Sequence, residues 1–535
     1  MIYGIPIVLK EGAKTQEGKN AINENINAIK AISEAIKPIY GPYGLGKVLI
    51  DKIGDITISK DCYTILEELE VEHPAAKMVI ELAKTLNKNC GDGVARSIIF
   101  LGELLKLGNE LIEQGIHPNI VLSGFKKSIV LIKKHIDSIK TKINLSDEEK
   151  LKDISSTTLN TKNTFGALNV LNDIAINTIK YIKELRGNKN YIDLDLVQIM
   201  KKEGEQVKDS TIIKGVIVDK EVVNESMPKI IKNAKIALIN HSLEITKTEF
   251  DTDIRITDPS QIIELKKQEE QMIKKMIDKI AKTGANVVFC QKGIDDLAQY
   301  YLAKAGIFAC RRVSKSDIEL IARATGSKTI SNINDLSPSA IGTASLIEEL
   351  EEGNERFVYI KGCKNPKAVT IAIRGGSEHL LEEVERAIKD GIGDVIAAVK
   401  SGRVVAGGGA VEIELARRLR AFASTIQGRE QLAIEEFANA LEVIPEALAE
   451  NAGLDQLEVI TELKRKHESG MYSYGLNLLI DKIEDTFSAG IIEPLKVKTQ
   501  AITAASEVAS LILRIDDVLI SKGSKAPSPV NEVLE

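Results

Sequence analysis

Tryptophan is absent from this chain of 535 residues, and only 4% of its residues are aromatic. Ile, Leu, Val and Ala must therefore do most of the burying. Cysteine is scarce. Cys62, Cys90, Cys290, Cys310 and Cys363 are odd in number and show no CxxC spacing, which argues against a zinc site or a disulfide framework and for a reducing compartment. No apolar run is long enough to span a bilayer. The start MIYGIPIVLKEG lacks the basic opening and long apolar stretch of a signal peptide, so a cytoplasmic protein without a membrane partner is expected. Neither sign of charge dominates. The net charge of −6 is small for the length and argues against nucleic acid as a partner. GxxxxGK[ST] is also missing, which disfavours a standard P-loop NTPase.

What is present suits a soluble protein of three or four domains, with 44% hydrophobic and 28% charged residues. Residues 18–140 read as mostly helical. Ile98, Leu101, Leu104, Leu105, Leu111 and Ile112 share one face of a helix that starts near Val94 and stops at Gly115. IVLIKKHIDSIKTKI reads as a second amphipathic helix, and Ser146 with Glu149 as a capping box for the next. After about residue 190 the pattern changes. GVIVD, KIALIN, ANVVFC and IFACRR read as strands alternating with helices, an α/β arrangement over about 206–363. Within it a long helix opens at Asp258-Pro259 and closes at Gly284, striped by Ile262, Leu265, Met272, Ile273, Met276, Ile277 and Ile280. Core packing is expected for Met272 and Ile273, and an exposed tip for Ile262 and Leu265. Helical pattern resumes near Gly376 and runs to about Leu519, before a tail, SKGSKAPSPVNEVLE, that reads as disordered. The economical layout is a helical domain made from both ends of the chain, with an α/β domain inserted through a connecting layer.

Three glycine-bearing loops could hold a nucleotide: Gly41-Pro42-Tyr43-Gly44, Gly91-Asp92-Gly93 and Gly407-Gly408-Gly409. The last two lead into helices, whose free N–H groups and positive dipole end suit phosphate. Asp92 could hold Mg²⁺ against phosphate oxygens. Each loop alone is more often a turn, a hinge or a packing point than a ligand loop, and Asp61 and Asp390 alone would ordinarily be caps or surface charges.

Whole segments say more. EHPAAKMVIELAKT, GANVVFCQKGIDDLAQYYLAKAGI, VYIKGCKNPKAVTIAIRGGSEH, VVAGGGAVEIELA, ALEVIPEALAENAGLD and IIEPLKVKTQAI resemble, in order, the group II chaperonins of the archaeal thermosome type, from about residue 8 to 519. The resemblance implies a multidomain α/β chaperonin fold. A helical equatorial domain would take 1–143 and 402–535, its tail from 521 disordered. An intermediate hinge domain would take 144–205 and 364–401, and an α/β apical domain 206–363, with a helical protrusion at about 244–275 as a built-in lid. It implies an ATP-dependent chaperone subunit that folds unfolded client proteins inside two stacked rings of eight or nine paralogous subunits. ATP and Mg²⁺ are the implied cofactors.

Site residues carry over by motif. YGPYG resembles LGPKG and places Gly41 and Pro42 at the nucleotide. GDG supplies Gly91 and Gly93, with Asp92 on Mg²⁺ and Val94, Ala95 and Arg96 following at the phosphates. Asp61 would position the attacking water, and Asp390, in RAIKDGI, would act on it. Lys162 resembles a lysine that senses the γ-phosphate. Gly408 and Gly409 would line the ribose, Gly475 and Asn477 the base, and Glu493 would bond the ribose hydroxyls. The departures cluster here. GDGTTT reads GDGVAR, NDG reads Lys60-Asp61-Cys62, and the Lys of LGPKG is Tyr43. Two readings follow. In one, Arg96 replaces some of the lost contacts and ATP is still hydrolysed. In the other, this is a weakened-ATPase, structural or substrate-selecting subunit in a ring with better-equipped paralogues.

Overall fold

A computed structural model describes residues 14–50, 52–186, 189–244, 259–352, 355–364, 366–515 and 517–520. They fall into two compact units, one from Met1–Asn163 with Ala397–Glu535 and the other Thr164–Ile396.

The first unit is built around the helix Val94–Glu113. Its apolar residues wrap most of the way round, so it must be covered on several sides. Helices Gly18–Ile36, Glu430–Asn451 and Leu495–Ile512 pack against it. The two ends of the chain thus share one core, in which Ile29, Val79, Ile98 and Leu104 meet Leu415, Leu441 and Ala505. Three of its rings meet at one point. Phe437 stands edge-on to Phe100 and Phe125, with centroids 5.4 and 5.6 Å away.

Some expectations change in this unit. The second amphipathic helix starts earlier and stops sooner, spanning Pro118–His135. His117 caps its start through Asn119 N–H, and the chain then passes through a short 3-10 turn into the strand Thr141–Lys142. No Ser146–Glu149 capping box forms. The next helix, Glu148–Asn160, has Asp147 at its N-cap, and the Asp147 carboxylate turns back to accept from Asn144 N–H instead. The helical stretch expected up to Leu519 is broken by the strands Arg403–Ala406, Tyr474–Asn477, Lys482–Asp485 and Ile492–Pro494. Strands of three or four residues are too short to show a period of two in sequence. Arg403–Ala406 pairs antiparallel with both Thr141–Lys142 and Ile492–Pro494, joining distant parts of the chain.

The second unit contains a seven-stranded sheet. Along its path run Phe308–Cys310, Val287–Cys290, Ile230–Ile239, Gly342–Glu352, Glu355–Lys361 and Gly215–Val218, and Thr329–Ile330 pairs with Ile230–Ile239 off that path. Successive side chains leave opposite faces. Ile236, Leu238, Val287, Phe289 and Phe308 enter one core, and Ala237, Ile239, Val288, Cys290 and Ala309 the other. Both faces are covered, which is why these strands read as unbroken apolar runs. The helix Pro259–Lys282 contributes Ile273, Ile277 and Ile280 to the second of these cores. Met272 was expected with them but is 50% exposed. One residue of helix is a rotation of about 100°, enough to carry it past the edge of the buried stripe. Residues 245–258 of the expected lid, the side chains of Ile262 and Leu265, and the tail 521–535 lie outside the described residues.

Because Phe437 is fully buried and meets Phe100 and Phe125, Phe437→Ala should cost about 3–5 kcal/mol. The lower urea midpoint should be visible by circular dichroism, and an unchanged midpoint would show that this contact does not hold the core.

Candidate functional site

Four loops of the first unit are tied to one another by side chains from distant parts of the sequence. The Tyr40-Gly41 turn is fixed from the C-terminal half, where Asn451 Nδ2 donates to the carbonyls of Lys37 and Tyr40, both at 2.8 Å. Gly91 closes the helix Pro74–Cys90, and Gly93 is the N-cap of Val94–Glu113. Both are left-handed, at φ 82° and 88°. A Cβ on Gly93 would come within 2.8 Å of Val497 Cγ1, so the loop lies directly on the start of Leu495–Ile512. Gly408, at φ 62°, accepts from Leu476 N–H at 2.8 Å, and a Cβ there would strike the Leu476 backbone. Thr486 Oγ1 donates to the Gly407 carbonyl at 3.1 Å. Glu493 lies opposite Val405 in the short sheet that feeds the Gly407 loop. A side chain on Gly93 or Gly408 would displace neighbouring atoms, so glycine is needed there for close approach as well as for backbone conformation.

Asp61 serves two structural purposes at once. Its Oδ2 caps Cys62–Glu68, accepting from Thr64 N–H at 2.9 Å and Thr64 Oγ1 at 3.0 Å. Its Oδ1 accepts from Lys162 Nζ at 2.7 Å. Burial pushes this carboxyl up, but the Lys162 charge and these hydrogen bonds outweigh it and hold the group below its ordinary value. Next door, Lys60 Nζ donates to the Pro42 carbonyl at 2.9 Å, joining the Asp61 segment to the first loop. Burial, then the charge of Asp61, push the Cys62 thiol well above its usual value, and half-buried Asp92 adds to the same field.

Residues 32–523 match the TCP-1/cpn60 chaperonin family. The chain belongs to that family. It is 49% identical to thermosome subunit alpha of Archaeoglobus fulgidus, over 99% of this chain and 98% of that one. It is 49% identical to thermosome subunit beta of Sulfolobus acidocaldarius, over 99% and 96%. The structure resembles the open-state monomer of a group II chaperonin from Methanococcoides burtonii, with TM-score 0.58 and 38% identity, over 79% of this chain and all of the other. The protein is an ATP-dependent chaperonin subunit of the group II type.

The chaperonin site has a second layer that sequence reasoning missed. Lys498 and Glu412 are fully buried, with Lys498 Nζ 2.8 and 3.1 Å from the two Glu412 oxygens and 3.0 Å from Glu493 Oε1. Arg96 joins them. Its Nη2 lies 2.5 Å from Glu493 Oε2, and its Nε 3.2 Å from Tyr40 Oη and 3.5 Å from Glu412 Oε1. Two cations face two carboxylates, so the cluster is neutral. Burial opposes charge on Arg96, but Glu493 and then Tyr40 and Glu412 outweigh it and keep its pKa well above the usual value. Burial likewise pushes Glu493 up, while Arg96 and Lys498 pull it below the ordinary range. Burial dominates at Tyr40 and keeps the phenol protonated. The sequence did hold a signal for this layer. Glu412 and Lys498 are charges at positions where the helical pattern turns inward.

The chain thus gathers Gly41, Pro42, Asp61, Gly91, Asp92, Gly93, Val94, Ala95, Arg96, Lys162, Gly408, Gly409, Gly475, Asn477 and Glu493 within one unit. Asn477 is held by its own hairpin, donating to Glu484 Oε1 at 2.7 Å and accepting from Leu479 N–H at 2.9 Å. Asp390 belongs to the other unit, on the helix Glu378–Ser401, and at 8% exposure is neither a cap nor a surface charge.

Lys498→Met would leave two buried carboxylates facing Arg96 alone, at a cost of about 3–5 kcal/mol at neutral pH. The sign with pH is fixed by Glu493. Its pKa is depressed in the folded state, so its stabilisation is complete above the ordinary glutamate value of 4.5 and is lost as pH falls through the lower folded value. The deficit of the variant, measured by urea unfolding, should therefore be largest at neutral pH and shrink below it. A deficit independent of pH would mean lost packing and not unbalanced charge.

Proposed function

We propose that this chaperonin subunit binds Mg²⁺–ATP in the first unit and hydrolyses it to drive the folding of client proteins. The left-handed Gly91-Asp92-Gly93 loop at a helix start carries this reading. Backbone N–H groups from Gly93 to Arg96 suit phosphate oxygens, because the first turn of a helix has no internal acceptors for them. Asp92 offers a half-buried hard carboxylate between two glycines, which fits Mg²⁺. Among the described residues no cluster of three or more His, Cys, Asp or Glu forms a protein cage, which agrees with an ion that keeps phosphate and water as its other ligands. Bound Mg²⁺ would neutralise charge on the phosphates, which is most of what phosphoryl transfer requires.

Asp61 is assigned the attacking water. Its Oδ1 already accepts from Lys162 but keeps a second lone pair for a water proton. Lys162 then sits where a change at the γ-phosphate would be felt through Asp61. Asp390 is assigned a second carboxylate acting on the water, and Gly408, Gly409, Gly475 and Asn477 the nucleoside end, where the resemblance would add Glu493 but Arg96 and Lys498 already engage both of its oxygens. The resemblance further supports equatorial, intermediate and apical domains with the boundaries given above, a lid from about 244–275, a cytoplasmic location, and rings of eight or nine subunits stacked in pairs around unfolded clients.

A second reading, a subunit of weakened ATPase, is favoured by one observation. Arg96 stands where the family has a hydroxyl, and its guanidinium is committed to buried carboxylates. Asp92→Ala should abolish nucleotide binding, whereas Asp390→Ala should bind normally and lose turnover. Replacing Val94, Ala95 and Arg96 together by Thr should raise the ATPase rate of the isolated subunit about tenfold if the missing hydroxyls limit it, the scale of one transition-state hydrogen bond. Equal rates before and after would remove the weakened-ATPase reading.

Assembly has its own support. The hairpin Lys47–Ile50 and Ile56–Ser59 presents Val48, Ile50, Ile56 and Ile58 to solvent, with Ile50 69% exposed. An open-edged two-stranded hairpin with an apolar exposed face suits contact with a neighbouring subunit. Ile50→Lys combined with Ile58→Lys should leave the circular dichroism spectrum unchanged and convert the particle seen by light scattering to smaller species. An unaltered mass would exclude the hairpin from the subunit interface.

A further inference from the structure

The Arg96 guanidinium is only 7% exposed and is turned into the protein from the third residue of its helix. It meets Glu493 from one side while Lys498 meets it from the other. Oε2 of Glu493 is taken by Arg96 Nη2 at 2.5 Å and Oε1 by Lys498 Nζ at 3.0 Å. Tyr40 Oη accepts from Arg96 Nε at 3.2 Å and steadies the planar fork. Tyr40 and Arg96 come from two different loops of the proposed nucleotide site. Tyr40 stands where the LGPKG pattern has Leu, and Arg96 where the GDGTTT pattern has Thr. The two departures touch each other, so they act as one feature and not as separate losses.

A ligand hydroxyl would reach Glu493 only as a third donor on a carboxylate whose charge Arg96 and Lys498 already neutralise, or by displacing one of them. Each cation binds with charge on both partners, whereas a hydroxyl brings charge on the carboxylate side only. Displacing Arg96 would also leave its buried guanidinium only the longer contact to Glu412, 3.5 Å from Nε, and weakening a buried pair in this way is costly. Removing Arg96 would reverse this. Glu493 would keep Lys498 on Oε1 and turn a free, charged Oε2 toward the ligand.

We propose that Arg96, held by Tyr40, closes Glu493 to ligands and makes this subunit indifferent to the sugar hydroxyls of its nucleotide. Ribonucleotides and their deoxy counterparts are then bound alike, through phosphate, metal and base. The inference rests on reading these loops as a nucleotide site.

The test is isothermal titration of the full chain, wild type and Arg96→Thr, with Mg²⁺–ADP and with Mg²⁺–2′,3′-dideoxy-ADP. ADP avoids turnover during the measurement. Wild type should bind the two within about twofold of each other. Arg96→Thr should favour ADP about tenfold, the scale of a hydrogen bond to a charged group. A tenfold preference for ADP in the wild type would overturn the proposal, as would equal binding of both ligands by Arg96→Thr. If Arg96→Thr does not fold by circular dichroism, the wild-type ratio alone decides. If the wild type binds neither ligand but Arg96→Thr binds ADP, Arg96 blocks the whole site and not the sugar contact alone, and the proposal of indifferent binding is overturned. If neither protein binds either ligand at millimolar concentration, the nucleotide reading of the site fails and takes the inference with it.

Discussion

Two buried carboxylates and two buried cations hold the first unit together where its halves meet. Arg96 comes from the N-terminal part of the chain, and Glu412, Glu493 and Lys498 from the C-terminal part. Apolar packing alone would leave the meeting of the two halves loosely specified, because Ile, Leu and Val can exchange neighbours at small cost. Charges in a dry interior cannot. Each must find its counterpart, and a misaligned pair is penalised severely. The apolar core supplies the driving force, and the ion cluster fixes the register of helix Val94–Glu113 against Leu495–Ile512. The same register sets Gly93 against Val497 and the Gly407 loop against Glu493. The loops of the proposed site are therefore positioned by the cluster behind them.

The sequence showed some parts of this and concealed others for identifiable reasons. The helix Val94–Glu113 and the strands Gly215–Val218, Ile230–Ile239, Val287–Cys290 and Phe308–Cys310 were legible because their apolar stripes and runs stand out, whereas Gly342–Glu352 and Glu355–Lys361 alternate with charge and were not expected. The capping box at Ser146 was misread because Asp147, a strong capping residue, lies between Ser146 and the helix and uses its own carboxylate to close the preceding turn. Met272 was misplaced because a stripe drawn on one helix does not reveal where the neighbouring surface ends. Short strands such as Ile492–Pro494 exist only because Arg403–Ala406 is beside them, and nothing local in three residues announces a partner 90 positions away. The five cysteines form no disulfide and are all buried, at positions that the sequence alone could not assign to the interior.

The glycine loops show why composition could not separate a turn from a binding loop. In sequence, GDG and GGG meet the requirements of either. In the structure Gly93 and Gly408 are left-handed, and each also lies against a neighbour that a Cβ would strike. A surface turn needs only the backbone conformation. Both conditions together mark loops packed tightly against the body of the protein. Asp61 shows the converse, since its alternatives were a helix cap or surface charge and a carboxylate that positions the attacking water. It is a cap, and its second oxygen holds Lys162, so a structural role and a proposed chemical role share one carboxylate.

The departures in the phosphate loop are consistent with the same physical argument. Replacing three threonines by Val94, Ala95 and Arg96 removes hydroxyls, yet Val94 and Arg96 are both buried and well placed. Val94 keeps the shape of a threonine, with a methyl in place of the hydroxyl, so packing there survives while a donor is lost. Arg96 could not be accommodated that way. A guanidinium at the third position of a helix needs acceptors, and the nearest deep ones are the carboxylates already paired with Lys498. Three acceptor groups around one fork, Tyr40, Glu412 and Glu493, are what make the arginine tolerable in the interior. The balance of charge also shifts. With threonine at this position the cluster would carry one uncompensated negative charge facing the loops, and with Arg96 it carries none. The proposed polyanion site thereby loses repulsion from behind, while losing the hydroxyls in front. The substitution therefore redistributes the electrostatics of the site and does not simply remove them.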